Sequence, residues 1–256
     1  MILYKYASIG AARQIFCSAR IGFSRPGFFN DPFDRPHVPS PATTDPISGV
    51  FEGIRATAKS HLWEERTAIL SLTRSYSNAL MWAHYADSHA GAVLEINVED
   101  AGFTDVETNM IPAQFGTVIY SRHRSNGPFV SNFDEGIVVG ATHHFVLSHY
   151  EKWQRLFLTK PLEWAYEEEV RVAKCLNGLE PQGNSTNESG NCITIEINSR
   201  PLHCFGFPRE AITRLFIGAR VSGTEVGALK EECAELTIIQ AALDEERFEM
   251  RFQAME

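Results

Sequence analysis

The most informative stretch of this sequence is residues 164–173, which read WAYEEEVRVA. The run is strand-like, and side chains on a β-strand alternate between its two faces. The pattern therefore predicts that Glu167, Glu169 and Arg171 project from one face and Glu168 from the other. Two carboxylates and a guanidinium on one face can share one site. The alternative is a solvated edge strand whose charges discourage aggregation.

The composition limits the kinds of partner that the chain can bind. Of 256 residues, 44% are hydrophobic and 11% aromatic, which is enough for a substantial core, and we expect one domain over residues 1–256. The formal net charge is -9, so a nucleic acid would have to bind at a local basic cluster such as Arg122, His123 and Arg124. For that cluster the alternative is a solvated loop.

The cysteines and the first residues indicate a cytoplasmic protein. Five cysteines occur without a CxxC pair, and an odd number cannot complete a disulfide framework, so a reducing compartment is expected. The opening MILYKY leads directly into a strand-like pattern without the features of a signal peptide. No run reaches the roughly 18 apolar residues that a membrane span requires. We therefore expect no membrane partner.

Hydrophobic periodicity predicts a strand, a helix and a second strand over residues 2–8, 10–19 and 20–24. Later helices are predicted over residues 47–65, 78–86 (capped by Ser77) and 134–158, and later strands over residues 68–73, 92–98, 117–120, 192–197, 213–217 and 248–252. Residues 177–191 are rich in Gly, Ser and Asn and are expected to form a flexible hairpin loop. The irregular alternation predicts an α+β fold with a mixed, mostly antiparallel sheet and flanking helices.

Several well-marked catalytic motifs are missing from the sequence. It contains no GxxxxGK[ST], GxGxxG, HExxH or GxSxG motif, which disfavours the better-marked NTPases, dinucleotide folds, zincins and hydrolases. The spacing of His84 and His89, and of His143 and His144, does not place either pair on one helical face. No metal site is therefore expected.

The first candidate segment for chemistry is residues 4–8, which read YKYAS. Lys5 lies on the opposite strand face from its two tyrosine neighbours. It can hold a phosphate, while Tyr6 or Ser8 can contact a ribose or a base. The alternative is an amphipathic edge strand.

The second candidate segment is residues 81–87, which read MWAHYAD. Trp82, His84 and Tyr85 offer flat, partly polar faces that can stack on a heteroaromatic ring. In the alternative interpretation Met81, Trp82 and Tyr85 form the apolar stripe of a short helix. His84 lies beside that stripe and is the stronger functional candidate.

The third candidate is the charged strand itself. A carboxylate held beside the anomeric carbon of a sugar stabilises an oxocarbenium-like transition state, and a neighbouring arginine can orient it. Lys5, the aromatic faces and Glu169 would together form a nucleotide-sugar pocket.

Five motifs resemble a widespread bacterial family that is catalogued only as a domain of unknown function. They are LYKY (residues 3–6), FNDPFD (29–34), MWAHYADSHAG (81–91), Lys160 followed by WAYEEEVR (164–171), and FIGAR (216–220). The resemblance extends over about residues 2–220 and implies no activity. The NDPFD run within it is expected to form an Asx-stabilised turn.

A second, more distant resemblance does imply an activity. LYKYAS, the helix after it and IGFS (residues 21–24) are similar to the opening of ADP-ribosyltransferase-like proteins, especially DarT-type DNA-modifying toxins and RNA 2'-phosphotransferases. The sequence from Glu169 onwards, and residues 207–217 later, look like the end of that fold. Lys5 and Tyr6 stand where such enzymes often place His or Arg.

The second resemblance implies NAD as the substrate, no metal, and an acceptor that is nucleic acid, protein or water. Glu169 would stabilise the oxocarbenium ion, with Glu167 as the competing carboxylate and His84 as a further catalytic candidate. Residues expected to contact NAD are Lys5, Tyr6, Ser8, Trp82, Tyr85 and Arg171. In this interpretation Trp82 or Tyr85 stacks on nicotinamide, Lys5 and Arg171 balance the diphosphate, and the role is in bacterial defence or as a toxin.

Two other functions are open at this point. One is a metal-dependent nuclease, in which Glu167 and Glu169 join Asp31, Asp34 or Asp87 around a magnesium ion. The other is a non-catalytic module that senses a nucleotide or binds a partner in a defence system. The sequence leaves the acceptor and the oligomeric state open.

Overall fold

The computed structural model describes residues 1–37, 45–124 and 142–255. The helices are α1 (Ile9–Ser18), α2 (Pro46–Arg66), α3 (Ala79–Tyr85), α4 (Tyr150–Phe157) and α5 (Gly223–Glu232). The strands are β1 (Ile2–Ala7), β2 (Arg20–Ser24), β3 (Thr67–Thr73), β4 (Ala92–Asn97), β5 (Ile119–Ser121), β6 (Thr159–Pro161), β7 (Glu169–Cys175), β8 (Gly183–Asn187), β9 (Gly190–Ile197), β10 (Arg200–Gly206), β11 (Ile212–Ile217), β12 (Thr237–Leu243) and β13 (Met250–Ala254).

One large sheet organises the described residues. Its strand order is β13-β12-β11-β4-β1-β3-β2-β10-β9-β8, and β7 pairs with β3 outside this path. Within it only β11 and β12 run parallel, while β5 and β6 form a separate parallel pair. The prediction of a mixed, mostly antiparallel sheet with flanking helices is confirmed.

The opening strand-helix-strand unit forms as predicted, and local chemistry sets its boundaries. The Ser8 hydroxyl accepts a hydrogen bond from the Ala11 N–H at 3.3 Å and so caps α1. Ala19 ends the helix in the left-handed region, at φ 50°. The chain then turns directly into β2, which pairs with β10.

Strand β3 is the point at which the sheet divides. It pairs with β7 along seven residue pairs, from Thr67 with Cys175 to Thr73 with Glu169. Its register with β1 is confined to Tyr4 and Thr73, and its register with β2 to Ser24 and Ile69. Strands β1 and β2 therefore diverge from β3, and a cavity opens in the gap.

Both faces of β3 and β7 are covered, so the apolar side chains on each face of these strands are buried. Leu70 and Val172 belong to the main core beneath α1 and α5. Ile69 and Ala173 belong to a second core that includes Trp63 of α2 and Trp153 of α4. Every residue of β7 is buried, so the charged strand is not the solvated edge strand of the alternative interpretation.

Three local predictions differ from the structure. Residues 134–158 do not form one long helix. Residues 134–141 lie outside the described residues, and beyond them only Leu147–His149 form a 3-10 turn and Tyr150–Phe157 an α-helix. Asn78, not Ser77, caps α3, because its side-chain oxygen accepts from the N–H groups of Leu80 and Met81. Residues 177–191 include β8, which forms a hairpin with β9.

None of the helices in the described ranges is both long and apolar enough to cross a membrane.

The contact between Gly116 and β7 gives a test of this packing. The Gly116 carbonyl accepts from the Arg171 N–H at 2.8 Å, and a Cβ at Gly116 would lie 1.9 Å from the Arg171 carbonyl oxygen. Gly116→Ala must push the loop away from β7, and we expect it to lower the free energy of unfolding by about 1–3 kcal/mol, as overpacking does.

The matched control is Gly10→Ala in α1, where an added Cβ meets nothing within 4 Å. This change should leave the free energy of unfolding unchanged or raise it by up to about 1 kcal/mol, because alanine favours helix. Urea denaturation followed by circular dichroism measures both variants. Equal stability of Gly116→Ala and wild type would contradict the close packing of this loop on β7.

Candidate functional site

The candidate site is a cavity of about 260 Å³ in the gap between β1, β2 and β3. Strand β7 contributes Glu169 and Arg171 to its lining, and the 3-10 turn before β7 contributes Glu167. The loop after β2 and helix α3 complete the walls, with Asp34 and Tyr85 facing the cavity. Aromatic rings of β1 and of the β2 loop line the remainder. The cavity therefore combines buried charge with aromatic walls.

Arg171 is the centre of the buried charge, and it is only 1% exposed. Its Nε donates to Glu169 at 2.9 Å, and its Nη1 donates to Asp34 at 2.8 Å and to the Phe157 carbonyl at 2.7 Å. Its Nη2 donates to Glu169 at 3.0 Å and to Asp34. A guanidinium has five N–H donors, and all are used. Arg171 therefore has no donor left for the diphosphate of NAD, which corrects the role that the second resemblance implied for it.

Lys160 brings three carboxyl groups together. Its Nζ donates to Glu167 and, at 3.1 Å, to Glu169, and it lies 3.8 Å from the Asp34 carboxylate. Burial alone would lower the pKa of Lys160, but Glu169 and then Glu167 raise it above its ordinary value. The ammonium is charged at neutral pH and holds the carboxylates around one point.

Glu169 is ionised, and most of its acceptor positions are used. Burial would raise its pKa, but Arg171 and then Lys160 outweigh burial and lower the pKa to about 2. The Ser71 side chain also lowers this pKa. With two bonds from Arg171 and one from Lys160, Glu169 uses three of the approximately four lone-pair positions of a carboxylate.

Glu167 differs from Glu169 in having more acceptor capacity to spare. One oxygen accepts from the Tyr85 hydroxyl at 2.5 Å and the other accepts from Lys160, which is two of the approximately four lone-pair positions. Burial and then Glu167 raise the pKa of Tyr85, so the phenol stays protonated and keeps donating. Glu167 therefore has more capacity than Glu169 to accept a further hydrogen bond in the cavity.

The two glutamates converge by a route that strand alternation did not predict. Glu167 is the last residue of a 3-10 turn, Leu162–Glu167, and β7 begins only at Glu169. Glu168 lies between them in the left-handed region at φ 45°. The Glu167 carbonyl accepts from the Thr73 hydroxyl at 2.6 Å, which anchors the turn on β3. Glu168 is exposed.

Lys5 bridges the gap between the diverging strands. Its Nζ donates to the Ser71 carbonyl of β3 at 3.1 Å, a backbone acceptor on the side of β3 that faces β1. Burial lowers the pKa of Lys5, and Glu169 partly counteracts that shift. Lys5 therefore lines the cavity and interacts electrostatically with Glu169.

The loop after β2 is fixed over the site by its two aspartates. Asp31 accepts from the Phe33 N–H at 2.8 Å, which confirms the predicted Asx turn, and from the Trp164 indole N–H at 2.7 Å. Asp34 binds the guanidinium of Arg171 through both of its oxygens. Burial raises the pKa of Asp34, and Arg171 partly offsets the shift.

The structure brings some of the candidate residues together and separates others. The cavity is lined by Lys5, Tyr6, Tyr85, Glu167, Glu169 and Arg171. Trp82 is fully buried in the core, with its indole N–H donating to the Tyr76 carbonyl at 2.7 Å, so no face is open to a ligand. His84 is exposed and, like Ser8 and Asp87, does not line the cavity.

Sequence reasoning missed Lys160 as a member of the cluster, and it named Asp34 only as a possible magnesium ligand and not as the partner of Arg171. Both residues stand in motifs of the family resemblance, and Lys160 immediately precedes Pro161. Those motifs are the signal that could have identified them. The pairing of Asp34 with Arg171 joins residues 137 positions apart, and a single sequence carries no periodicity that reports such a contact.

The donor set of this cluster does not suit a metal ion. Lys160 and Arg171 are already paired with the three carboxylates. Among residues 1–37, 45–124 and 142–255, no group of three or more His, Cys, Asp or Glu side chains could hold a metal ion.

Residues 81–172 match a family model described as protein of unknown function (DUF2971). The match supports the resemblance to a domain of unknown function, and its range includes Tyr85, Lys160, Glu167, Glu169 and Arg171. It does not include β1 or Asp34. No curated protein and no solved structure matches the chain.

The low pKa of Glu169 predicts a pH-dependent contribution to stability. Its pKa is about 2 in the folded protein and ordinarily 4.5, so its contribution is complete above about pH 4.5 and is lost as pH falls toward 2. We expect the stability advantage of wild type over Glu169→Gln to be on the order of 3 kcal/mol near neutral pH. The advantage should shrink steadily below about pH 4.5.

Urea denaturation between pH 7 and pH 3 measures this difference. The pKa of Asp34 is shifted in the opposite direction. Asp34 is present in both proteins, so its contribution largely cancels in the stability difference between them. Glu168→Gln, at an exposed position, is the control and should follow wild type throughout. A wild-type advantage that does not change between pH 6 and pH 3 would contradict the ion pairing of Glu169.

Proposed function

We propose that this chain is an NAD-dependent ADP-ribosyltransferase-like enzyme whose cavity holds the nicotinamide and adjoining ribose of NAD. The proposal is carried by one observation: Lys5 of β1, Tyr85 of α3 and the glutamates at β7 line a single cavity. These are segments that the second resemblance associates with NAD. Their distance apart in the sequence means that only folding unites them.

The size of the cavity is consistent with part of a dinucleotide. Pockets for drug-sized ligands have volumes of about 300–1,000 Å³, and this cavity has about 260 Å³. It can hold one base and one ribose, with the diphosphate emerging at its mouth. Tyr85 and the aromatic walls from β1 and the β2 loop supply the apolar surface for the nicotinamide ring.

The transfer step would proceed through an oxocarbenium-like ribose. The bond from the nicotinamide nitrogen to the ribose C1' breaks, and both bonding electrons leave with nicotinamide. The nucleophilic oxygen or nitrogen of the acceptor then bonds to C1' and loses its proton to Glu167 or to water. Fixed negative charge beside C1' lowers the barrier because it is already oriented when the positive charge develops.

The two glutamates would divide this task. Glu167 has the greater spare acceptor capacity and would accept the hydrogen bond of a ribose hydroxyl. Glu169, with its pKa near 2, would supply permanent negative charge and hold Lys160 and Arg171 in place. The acceptor would be nucleic acid, protein or water. A role in bacterial defence or as a toxin rests on the resemblance alone.

A non-catalytic nucleotide-binding module is the second candidate function. The observation that favours it is the pairing of Glu169 with both Arg171 and Lys160, which use three of its approximately four acceptor positions. A carboxylate in such a network can be retained for structure. In this function the same cavity binds the base and ribose without cleaving the bond between them.

The metal-dependent nuclease is not proposed further. It requires carboxylates whose charge is available to a magnesium ion. In this cluster Asp34, Glu167 and Glu169 are each bonded to Lys160 or Arg171, so the metal would have to displace two buried cations.

Nicotinamide release from NAD separates the two candidate functions. We expect wild type to release nicotinamide in the presence of nucleic acid, protein or water as acceptor. Glu167→Gln and Glu169→Gln should each lower the rate at least about 100-fold, as the loss of one preorganised electrostatic group does. Glu168→Gln is the matched control and should retain the wild-type rate.

Circular dichroism establishes that each variant is folded. If Glu169→Gln does not fold, Tyr85→Phe replaces it, because that change removes only the hydroxyl that donates to Glu167. Equal release by wild type and the folded glutamate variants would refute the enzyme. Binding of NAD by all of them without release would establish the binding module instead.

A further inference from the structure

A second cavity, of about 690 Å³, lies beside the first, and Lys160 lines both. We call it the basic groove, because its lining is dominated by cations. The residues that define it are Arg35, His37, Arg122, Arg124, Arg155 and Lys160. The acidic side chain in its described lining is Glu163.

Three separate segments build the basic groove. The parallel pairing of β5 with β6 places Tyr120 opposite Lys160, so the residues that follow β5 extend past β6. Arg124 then donates to the Phe33 carbonyl at 2.8 Å, and its guanidinium lies 5.8 Å from the centre of the Phe33 ring. The loop of Phe33 is itself fixed by the ion pair of Asp34 with Arg171.

The groove carries positive charge that the described residues do not neutralise. Arg155 is paired with Glu151, and Lys160 is paired with the carboxylates of the first cavity. Arg35, Arg122 and Arg124 are exposed, and none forms an ion pair with a carboxylate within residues 1–37, 45–124 and 142–255.

This concentration of charge opposes the net charge of the whole chain, which is -9. A cleft lined by one sign of charge focuses the local field and attracts the opposite sign. The pKa of His37 is lowered by burial and then by the positive charge of the neighbouring Arg124. The groove therefore favours anions on a protein that otherwise repels them.

We propose that the basic groove binds a ligand with two or more adjacent phosphate groups. Planar guanidinium groups match phosphate oxygens in pairs and are always charged. Three of them around one cavity exceed what a single phosphate requires. The same chemistry can come from the diphosphate of a nucleotide seated in the first cavity or from the backbone of a nucleic acid strand.

The two sources use different features of the groove. Lys160, shared by both cavities, marks the place where a diphosphate would leave the first cavity, and this source rests on the proposed function. A nucleic acid strand would also use Phe33, which is 66% exposed, because aromatic rings beside a basic groove stack on bases.

The experiment measures binding of three probes: inorganic pyrophosphate, NAD and a fluorescent single-stranded oligonucleotide. Wild type is compared with the double variant Arg122→Gln and Arg124→Gln at several salt concentrations. The control is Arg220→Gln with Arg247→Gln, which removes the same charge at exposed positions that do not line the groove. None of these four residues lines the first cavity.

We expect the double variant to bind at least one probe at least about tenfold more weakly than wild type and than the control, because each lost guanidinium removes a charged hydrogen bond. For the oligonucleotide, the slope of log affinity against log salt should fall by about 1 for each arginine removed. If the double variant binds pyrophosphate and NAD more weakly, the ligand is the diphosphate of a nucleotide. If it binds only the oligonucleotide more weakly, the ligand is a nucleic acid strand.

Two results would overturn the proposal. One is that none of the probes binds wild type at low salt. The other is that the double variant binds every probe as tightly as the control does. Because binding of pyrophosphate and of the oligonucleotide by wild type is measured without turnover, failure of the reaction and failure of the groove are separate results.

Discussion

The five-donor network of Arg171 is the interaction on which the rest of this structure depends. One guanidinium binds Asp34 from the loop after β2, Glu169 from its own strand and the carbonyl of Phe157 at the end of α4. It therefore ties two other parts of the chain to β7. A buried charge is tolerated only when it is fully paired, and breaking such a pair costs about 3–5 kcal/mol. The same network that fixes the β2 loop also forms the floor of the cavity, so stability and site geometry cannot be changed separately here.

The cavity itself exists because the sheet is incomplete. Strand β3 pairs with β7 along its whole length, but it pairs with β1 and with β2 at only one residue pair each. Backbone acceptors in the gap need other partners, since buried polar groups without hydrogen bonds are costly. Lys5 supplies one of these partners at the Ser71 carbonyl. The divergence of the strands therefore opens the cavity and also leaves a backbone acceptor for a lysine side chain.

Two cavities of opposite character meet at Lys160. One gathers Asp34, Glu167 and Glu169 around aromatic walls, and the other presents guanidinium groups from loops near β5 and β6. A sugar that develops positive charge would suit the first, and phosphate groups would suit the second. Nucleotides carry both features in adjacent positions, which gives the two proposals a common physical basis, although each depends on its own residues.

The sequence by itself determined the opening β1-α1-β2 unit, the mostly antiparallel sheet and the Asx turn at Asp31, because capping, alternation and turn chemistry act over a few residues. It also indicated that Glu167 and Glu169 share a site, although the left-handed Glu168 brings them together in place of regular alternation. Only the tertiary structure placed Trp82 in the core, left His84 outside, joined Asp34 to Arg171 and joined Lys160 to the two glutamates. Those outcomes depend on contacts between residues up to 137 positions apart, and on which donors are already used, and neither leaves a local pattern in the sequence.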